Sequence, residues 1–494
     1  MSGETGAKLD VAAAIATLER GDETISSIAR AYAWPEADVV RDIASHYWWW
    51  GESDRALPLL EEELGRASSV VLQMAYLRCL ISLAGEHRAA VKNAVTDLHA
   101  LLRRRFSGPA TLDLSAVDPR SDRKLRLGFL CTYSNLKPVE LSLVPMFRAL
   151  DRSRFHTSFF SLDQAGNPLL DQVCDEHVVL RGCSAQAVCD TIRGRKIDLL
   201  FDLNGILRED FPIEVFGMRA APVQAGWWNT PISSGLDTVQ YFFTDRRTLG
   251  PEADDLFTET IVEIPGGAPL CYELSDRHQV APPPCLHSDS FVFGSFTALF
   301  KINDVVLDGW AQILARAPHT RLFIKAMNST SARFRARLAR VMAKHRIGWE
   351  RIFCEEDHPF DEMMNRYAAV DLCLNTYNYG TGTTALNAVW QGIPTLTFRG
   401  RYYANGTAAM MVDCGLDDFV VRDRDAYIEQ AIRLSCYPKR LLDVRPLLRD
   451  HVRAYSNGLS APRFARNFEQ ACTNAWADWC TKQRSSELVR RHAG

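Results

Sequence analysis

Two series of short apolar segments, each alternating with helical patterns, constrain the fold of this chain more than any other feature. The first series begins with LRLGFLCTY (125–133) and FHTSFFSL (155–162), the second with SFVFGSF (290–296) and TRLFIKAM (320–327). Short apolar runs that alternate with helices are typical of buried strands in parallel sheets. A proline-rich break, DRHQVAPPPCLH (276–287), separates the two series. The sequence therefore predicts two Rossmann-like α/β domains.

A different pattern precedes these domains. Residues 8–105 carry apolar residues at helical spacing, and the Gly/Pro/Ser/Asp-rich stretch FSGPATLDLSAVDPRSDR follows them. The 494 residues are too many for one core. The predicted organisation is an all-helical domain at 1–106, a linker at 107–123, a first lobe at 124–285 and a second lobe with the C-terminal helices at 286–494. Tyr47-Trp48-Trp49-Trp50 is predicted to pack between helices or against the next domain, with a sugar or peptide platform as the alternative.

Composition limits the class of protein. A net charge of −3 and a pI near 6.5 do not favour nucleic acid or an anionic membrane as partner. The 13 cysteines include no C-x-x-C pair, which favours a reducing compartment. No apolar run approaches the roughly 20 residues of a membrane span, and the N-terminus lacks the features of a signal peptide. We expect a cytoplasmic protein. The 47% hydrophobic content is compatible with an oligomer but does not establish one.

One segment of the second lobe suggests chemistry. NTYNYGTGTTALNAVWQGIP (375–394) reads as a strand end, a small-residue loop and a helix. Glycines allow a backbone to approach a ligand closely, and a helix N-terminus favours an anion. The segment is therefore either a phosphate site or a tight turn with a threonine N-cap.

Several motifs carry a resemblance to a known family. They are Arg219-Ala-Ala-Pro-Val-Gln224, Trp227-Trp-Asn-Thr-Pro231, Ser233-Ser-Gly235, Asp202-Leu-Asn-Gly205, Phe296-Thr-Ala-Leu-Phe-Lys-Ile302, Val370-Asp-Leu-Cys-Leu374 and Gly382-Thr-Thr-Ala-Leu-Asn-Ala-Val-Trp-Gln-Gly-Ile-Pro394. In type and order they resemble glycosyltransferase family 41, the O-GlcNAc transferase and SPINDLY family. Tyr379-Gly380 is similar to the family's bacterial adhesin-modifying N-glucosyltransferases. The resemblance covers about residues 125–475.

The resemblance implies a GT-B fold and an inverting, metal-independent glycosyltransferase. The donor would be a nucleotide sugar, with a UDP-sugar favoured, and the acceptor a Ser, Thr or Asn side chain of a protein such as an adhesin or a flagellar protein. No cofactor or metal is expected, and the single D-x-D, Asp423-Arg-Asp425, is better explained as a helix cap. The alternatives are a glycosyltransferase for a small-molecule or glycan acceptor and a non-catalytic GT-B binding module.

The resemblance also assigns residues. Lys301 would stabilise the departing diphosphate, and Thr383 and Thr384 would hold it. The other donor-side candidates are Lys325, His358, Thr381, Gly382 and Asn387, and the acceptor-side candidates are Asn229, Thr230 and Ser233. The family carries a His-Pro pair after the first strand. This chain reads YSNLKPVE (133–140) there, so Glu140 or Lys137 becomes the acid–base candidate, with Glu140 preferred.

Overall fold

A computed structural model describes residues 9–493, except 84–86, 109–111, 121, 164–166, 229–231, 250–255, 265–270, 377–379, 400–404 and 456. The first part of the described chain is helical, as its sequence predicts. Its helices are α1 (Val11–Arg20), α2 (Ile25–Tyr32), α3 (Glu36–Trp49), α4 (Ser53–Arg66), α5 (Val70–Ser82) and α6 (Arg88–Arg105). Side-chain caps begin several of them; Asp10, for example, accepts a hydrogen bond from the Ala13 N–H at the start of α1.

The first lobe contains a seven-stranded parallel sheet. Its strands are β1 (Leu125–Cys131), β2 (Phe155–Ser161), β3 (Glu176–Val179), β4 (Leu199–Asp202), β5 (Val223–Gly226), β6 (Tyr241–Thr244) and β7 (Thr260–Glu263), in the order β3-β2-β1-β4-β5-β6-β7. Its helices are α7 (Lys137–Ala149), α8 (Pro168–Asp171), α9 (Ala185–Gly194) and α10 (Ile213–Gly217). β1 and β4 are largely buried on both faces, so apart from Arg126 and Asp202 their residues are apolar or glycine. The edge strand β7 is half-exposed and escaped the sequence prediction.

The second lobe repeats the architecture with six parallel strands. They are β8 (Phe291–Ser295), β9 (Thr320–Lys325), β10 (Ile352–Glu355), β11 (Leu372–Leu374), β12 (Thr395–Phe398) and β13 (Val420–Val421), in the order β10-β9-β8-β11-β12-β13. Its helices are α11 (Asp304–Arg316), α12 (Ala332–Lys344), α13 (Phe360–Arg366), α14 (Thr383–Trp390), α15 (Asn405–Asp413), α16 (Arg424–Cys436) and α17 (Lys439–Tyr455). Asp423 caps α16 by accepting from the Ala426 N–H at 2.8 Å, which explains the D-x-D.

The last helix, α18 (Ala461–Ala493), packs elsewhere than its place in the sequence suggests. Its position in the sequence predicts that it belongs to the second lobe, but its buried aromatic residues join the core of the first sheet. Phe468 is buried against Trp227, with ring centroids 4.6 Å apart, and also against Phe129. An amphipathic pattern identifies the buried face of a helix but not the element that covers it.

Two expectations from composition can be compared with the structure. All 13 cysteines are free, and most of them are buried. In the part of the chain that the structure describes, no helix is both long enough and apolar enough to cross a membrane.

Candidate active site

Both sheets reverse their strand order at one point, between β1 and β4 in the first lobe and between β8 and β11 in the second. In open parallel sheets, ligands bind in the crevice that such a reversal leaves at the carboxyl ends of the strands. In the second lobe, the chain leaves β8 into a short 3₁₀ turn, Leu299–Lys301, which we call the lysine turn. The chain leaves β11 into the loop that leads to α14. The predicted donor residues therefore lie on both sides of this crevice.

Asn375 organises the loop between β11 and α14. Its Oδ1 accepts hydrogen bonds from the Thr381 N–H at 3.1 Å and from the Thr381 hydroxyl at 3.0 Å. Its Nδ2 donates to Thr397 Oγ1 at 2.9 Å, and the Tyr427 hydroxyl donates to its carbonyl at 2.8 Å. Asn375 and Thr381 are both buried. Thr381, a predicted ligand contact, thus shapes the loop from inside. Asn375 was not assigned a role from the sequence, although it closes the apolar run DLCLN.

The N-terminus of α14 carries no side-chain cap. Its N-cap residue is Gly382, so the alternative of a threonine N-cap is wrong. A Cβ at Gly382 would meet no atom within 4 Å, which leaves open space above the first turn. Thr383 and Thr384 are half-buried beside it. The first N–H groups of a helix lack partners within the helix and, together with the helix dipole, attract anions.

Lys301 reaches this loop. Its Nζ donates a hydrogen bond to the Gly380 carbonyl at 3.0 Å and lies 5.5 Å from the centre of the Phe300 ring. The residue keeps part of its surface accessible, yet its ammonium is enclosed, and burial lowers the pKa of Lys301 to about 7. A desolvated amine gains strongly from an anionic ligand, because the ligand replaces the charge stabilisation that water would supply. The structure therefore brings Lys301 and the start of α14 together.

Lys325 and His358 lie further along the same sheet edge, where β9 and β10 end. Lys325 is buried and forms an ion pair with Asp357. His358 contacts Glu355 at 3.2 Å through Nε2 and Glu362 at 3.5 Å through Nδ1. Both predicted donor residues therefore already have acidic partners, and neither belongs to the contacts that join Lys301 to Gly380.

Asn387 faces the interior of the second lobe. It is 5% exposed, and its Oδ1 has no hydrogen-bond partner. It contacts Tyr272, whose pKa is raised by burial and lowered in part by a hydrogen bond from Asn387. Asn387, the predicted ribose contact, is thus a buried residue of α14.

In the first lobe, Glu140 lies near the start of α7 and forms an ion pair with Lys137, with Nζ and Oε1 2.5 Å apart. Lys137 Nζ also lies 5.7 Å from the ring centre of Phe360, in α13 of the second lobe. The two acid–base candidates therefore sit together where the lobes approach each other.

The residues predicted on the acceptor side are Asn229, Thr230 and Ser233. Asn229 and Thr230 lie outside the described residues. Ser233 is 1% exposed, and its hydroxyl donates to Glu259 Oε2 at 2.6 Å. Ser234 donates to the other carboxylate oxygen, so Glu259 holds both serines. This network fixes the segment internally, and the buried Ser233 hydroxyl is engaged by Glu259.

The Asp202-Leu-Asn-Gly205 turn forms the matching strand-end structure of the first lobe. Asn204 Oδ1 accepts from the N–H and the hydroxyl of Thr132, each at 2.8 Å. Asp202 Oδ1 accepts from the Asn204 N–H at 2.8 Å, and burial raises the pKa of Asp202 to about 6. The turn therefore links the ends of β1 and β4 across the crevice.

A groove of about 360 Å³ begins beside the lysine turn. Phe300 and the tryptophans Trp48 and Trp49 line it, and Arg208 lies on the side of the first lobe. A second groove of about 350 Å³ shares four lining residues with it, so the two are continuous along the helical region. Among the described residues, no group of three or more His, Cys, Asp or Glu side chains is placed to hold a metal ion.

Two facing Rossmann-like lobes with ligand-binding loops at their strand ends define the GT-B class of architecture. Comparison with known proteins supports this class. The chain superposes on a point mutant of the Thermobaculum terrenum O-GlcNAc transferase with a TM-score of 0.82 and 26% identity, covering 90% of this chain and 85% of that chain.

Sequence comparison agrees. Residues 273–467 match the model of Glycosyl transferase family 41. Two relatives are named "Probable UDP-N-acetylglucosamine--peptide N-acetylglucosaminyltransferase SPINDLY". The one from Solanum lycopersicum is 29% identical over 336 residues, covering 66% of this chain and 35% of that protein. The one from Arabidopsis thaliana is 30% identical over 307 residues, covering 60% and 33%.

The family model over residues 273–467, the SPINDLY relatives and the O-GlcNAc transferase structure all support the resemblance to glycosyl transferase family 41 that the motifs indicated. The chain spans about a third of the length of the curated relatives that it matches.

Proposed function

We propose that this chain is a glycosyltransferase that moves a sugar from a nucleoside diphosphate to a polypeptide side chain, with UDP-N-acetylglucosamine as the favoured donor. One observation carries the proposal: the Lys301 ammonium and the uncapped start of α14 converge at Gly380. A diphosphate in this position would receive a full positive charge and a set of backbone N–H groups. The names of the sequence relatives favour uridine as the nucleoside and a peptide as the acceptor.

The same groups suggest the mechanism. The acceptor atom attacks the anomeric carbon, the bond from that carbon to the diphosphate oxygen breaks, and the diphosphate leaves with the electron pair. A single displacement of this kind inverts the configuration at the anomeric carbon. Negative charge grows on the diphosphate as the bond breaks, and Lys301 stabilises it most in the transition state. In our proposal this cation and the α14 N-terminus stabilise the negative charge of the leaving diphosphate, so transfer proceeds without a bound metal.

The acceptor proton needs a base. Glu140 is the carboxylate of the first lobe that we assign to this role, since it lies with Lys137 where the second lobe approaches. The ion pair with Lys137 fixes the position of this carboxylate near the start of α7.

The polypeptide would approach along the aromatic groove. The groove starts at Phe300, the neighbour of Lys301, and continues between the helical region and the first lobe.

The first experiment is a thermal-shift series with UDP, GDP, dTDP and UDP-N-acetylglucosamine on the wild type, on Lys301→Ala and on Lys344→Ala. Lys344 is an exposed lysine at the end of α12 and serves as the matched control. A ligand at a hundred times its Kd stabilises the fold by about 2.7 kcal/mol. We expect stabilisation by the uridine compounds in the wild type and in Lys344→Ala, and its loss in Lys301→Ala. No stabilisation by any nucleotide in folded wild type would contradict the proposal and favour a non-catalytic GT-B module.

Transfer is tested separately by incubating the enzyme with UDP-N-acetylglucosamine, a peptide library and EDTA. Mass spectrometry should detect an N-acetylhexosamine on peptides despite the chelator. Product that forms only after a divalent cation is restored would contradict the metal-free mechanism.

A further inference from the structure

The end of α3 rests directly on the lysine turn. Gly51, just after α3, has φ +71°, and a Cβ built on it would lie 2.5 Å from the carbonyl oxygens of both Leu299 and Ile302. Real Cβ atoms do not approach oxygen this closely, so the contact is backbone against backbone and only glycine fits it. The helical region thus touches the segment that carries Lys301.

Three side chains strengthen this contact. The Arg337 guanidinium donates to the Trp50 carbonyl and to the Ile302 carbonyl, so one cation joins α3 to the end of the lysine turn. Trp48 stacks on Phe300 with ring centroids 4.4 Å apart and an interplanar angle of 27°.

Polar contacts flank the stack on both sides. Asn303 Nδ2 donates to the Ser82 carbonyl at 3.2 Å, and Arg333 binds both carboxylate oxygens of Glu52. Every residue from Phe300 to Asn303 except Lys301 itself is therefore contacted from the helical region or bridged to it.

The lysine turn is short, and within the second lobe the buried side chains of Leu299 and Ile302 anchor its ends. It is a three-residue 3₁₀ turn, held internally by the bonds from the Lys301 N–H to Ala298 O and from the Ile302 N–H to Leu299 O. Such short turns have poor hydrogen-bond geometry and follow their surroundings. A catalytic group displaced by about 1 Å can cost a factor of about 100 in rate.

We propose that the end of α3 positions Lys301 for the donor diphosphate, with Gly51, Trp48 and Arg337 as positioning residues. The inference rests on the proposed function. It gives the helical region a role in donor binding, in addition to any contact with the acceptor, and it accounts for the tryptophan cluster. Ordinary domain packing would produce the same burial but would not tie these residues to the state of Lys301.

The test compares Gly51→Ala with Gly21→Ala in the full chain. Gly21 ends α1 at φ +76°, and a Cβ there meets nothing within 4 Å, so Gly21→Ala imposes the same backbone strain without touching the turn. The Kd for UDP is measured by calorimetry from pH 6 to 9, with Lys301→Ala and the double variant Gly51→Ala/Lys301→Ala alongside.

We expect Gly51→Ala to weaken UDP binding at least tenfold and to flatten its pH dependence as Lys301→Ala does, while Gly21→Ala keeps both. The double variant should bind no more weakly than Lys301→Ala alone, because coupled residues are not additive. Trp48→Leu, which keeps the backbone intact, should show a smaller loss of the same kind and replaces Gly51→Ala if that variant does not fold.

Two results would overturn the inference. One is wild-type affinity and wild-type pH dependence in folded Gly51→Ala or Trp48→Leu. The other is a loss that adds in full to that of Lys301→Ala. In both cases the wild type still binds UDP, so the proposed function stands. Failure of the wild type to bind UDP would instead overturn the proposed function and this inference together.

Discussion

Lys301 combines an enclosed ammonium with a hydrogen bond to the Gly380 carbonyl. This combination predicts proton uptake on binding. Burial places the pKa of Lys301 at about 7, so the amine is mostly neutral at pH 8.5 before an anion binds. A diphosphate beside it favours the charged form and raises the pKa toward its ordinary value of about 10.4.

Calorimetry of UDP binding in buffers of different ionisation enthalpy measures this coupling. At pH 8.5 we expect the uptake of nearly one proton per UDP, falling toward zero at pH 6, and no uptake by Lys301→Ala at either pH. Equal uptake by the wild type and Lys301→Ala would assign the proton to another group.

Variants of Asn375 and Thr383 distinguish a residue that supports the loop from a residue that contacts the ligand. Asn375→Ala removes an acceptor for two Thr381 donors and a donor to Thr397 in a buried place. Leaving such groups unpaired costs about 1–3 kcal/mol, so urea unfolding should show a loss of stability of that size. Thr383→Ala should leave stability within about 0.5 kcal/mol and weaken UDP binding roughly fivefold. The reverse pattern would mean that Thr383 supports the loop and Asn375 does not.

At the scale of helices and strands, the position of α18 differs most from the one that the sequence predicts. It follows the second lobe in the chain but packs against the first lobe. Phe468 is fully buried and its ring lies within 6.3 Å of those of Phe129, Trp227 and Phe243. Phe468→Ala would leave a cavity in the first lobe and should cost about 3–5 kcal/mol by urea unfolding. Phe468→Leu fills more of the space and should cost less. A loss below 1 kcal/mol in Phe468→Ala would show that α18 contributes little to the stability of the first lobe.

The sequence predicted the elements that a local pattern defines. Largely buried strands such as β1 are rich in apolar residues, and Lys301 follows such a strand in a recognisable motif. Long-range burial has no local pattern. The sequence around Ser233 does not indicate its partner Glu259, and the sequence around Asn387 does not indicate Tyr272, so neither buried contact was predicted. The packing of α18 against the first lobe was not predicted for the same reason.

At the scale of the whole molecule, the helical region is attached to both lobes. On the second lobe it contacts the lysine turn, and on the first lobe His99 of α6 lies against Gly235. Gly235 has φ +69°, and a Cβ there would come within 2.1 Å of the imidazole, so the ring fits where only glycine leaves room. Arg103 and Asp237 flank this contact.

This docking predicts sensitivity to acid. Burial is the main cause that lowers the pKa of His99 to about 4, with Arg103 also lowering it and Asp237 raising it. The unfolded chain binds a proton near pH 6.5, so it holds more protons than the folded chain between pH 6.5 and 4, and stability falls as the pH drops through this window. Urea unfolding at pH 7 and pH 5 should show a smaller loss in His99→Gln than in the wild type. His287→Gln, at an exposed histidine, is the control and should behave as the wild type. If His99→Gln lost as much stability as the wild type, acid would act elsewhere, and the docking of the helical region on the first lobe would not depend on a neutral imidazole.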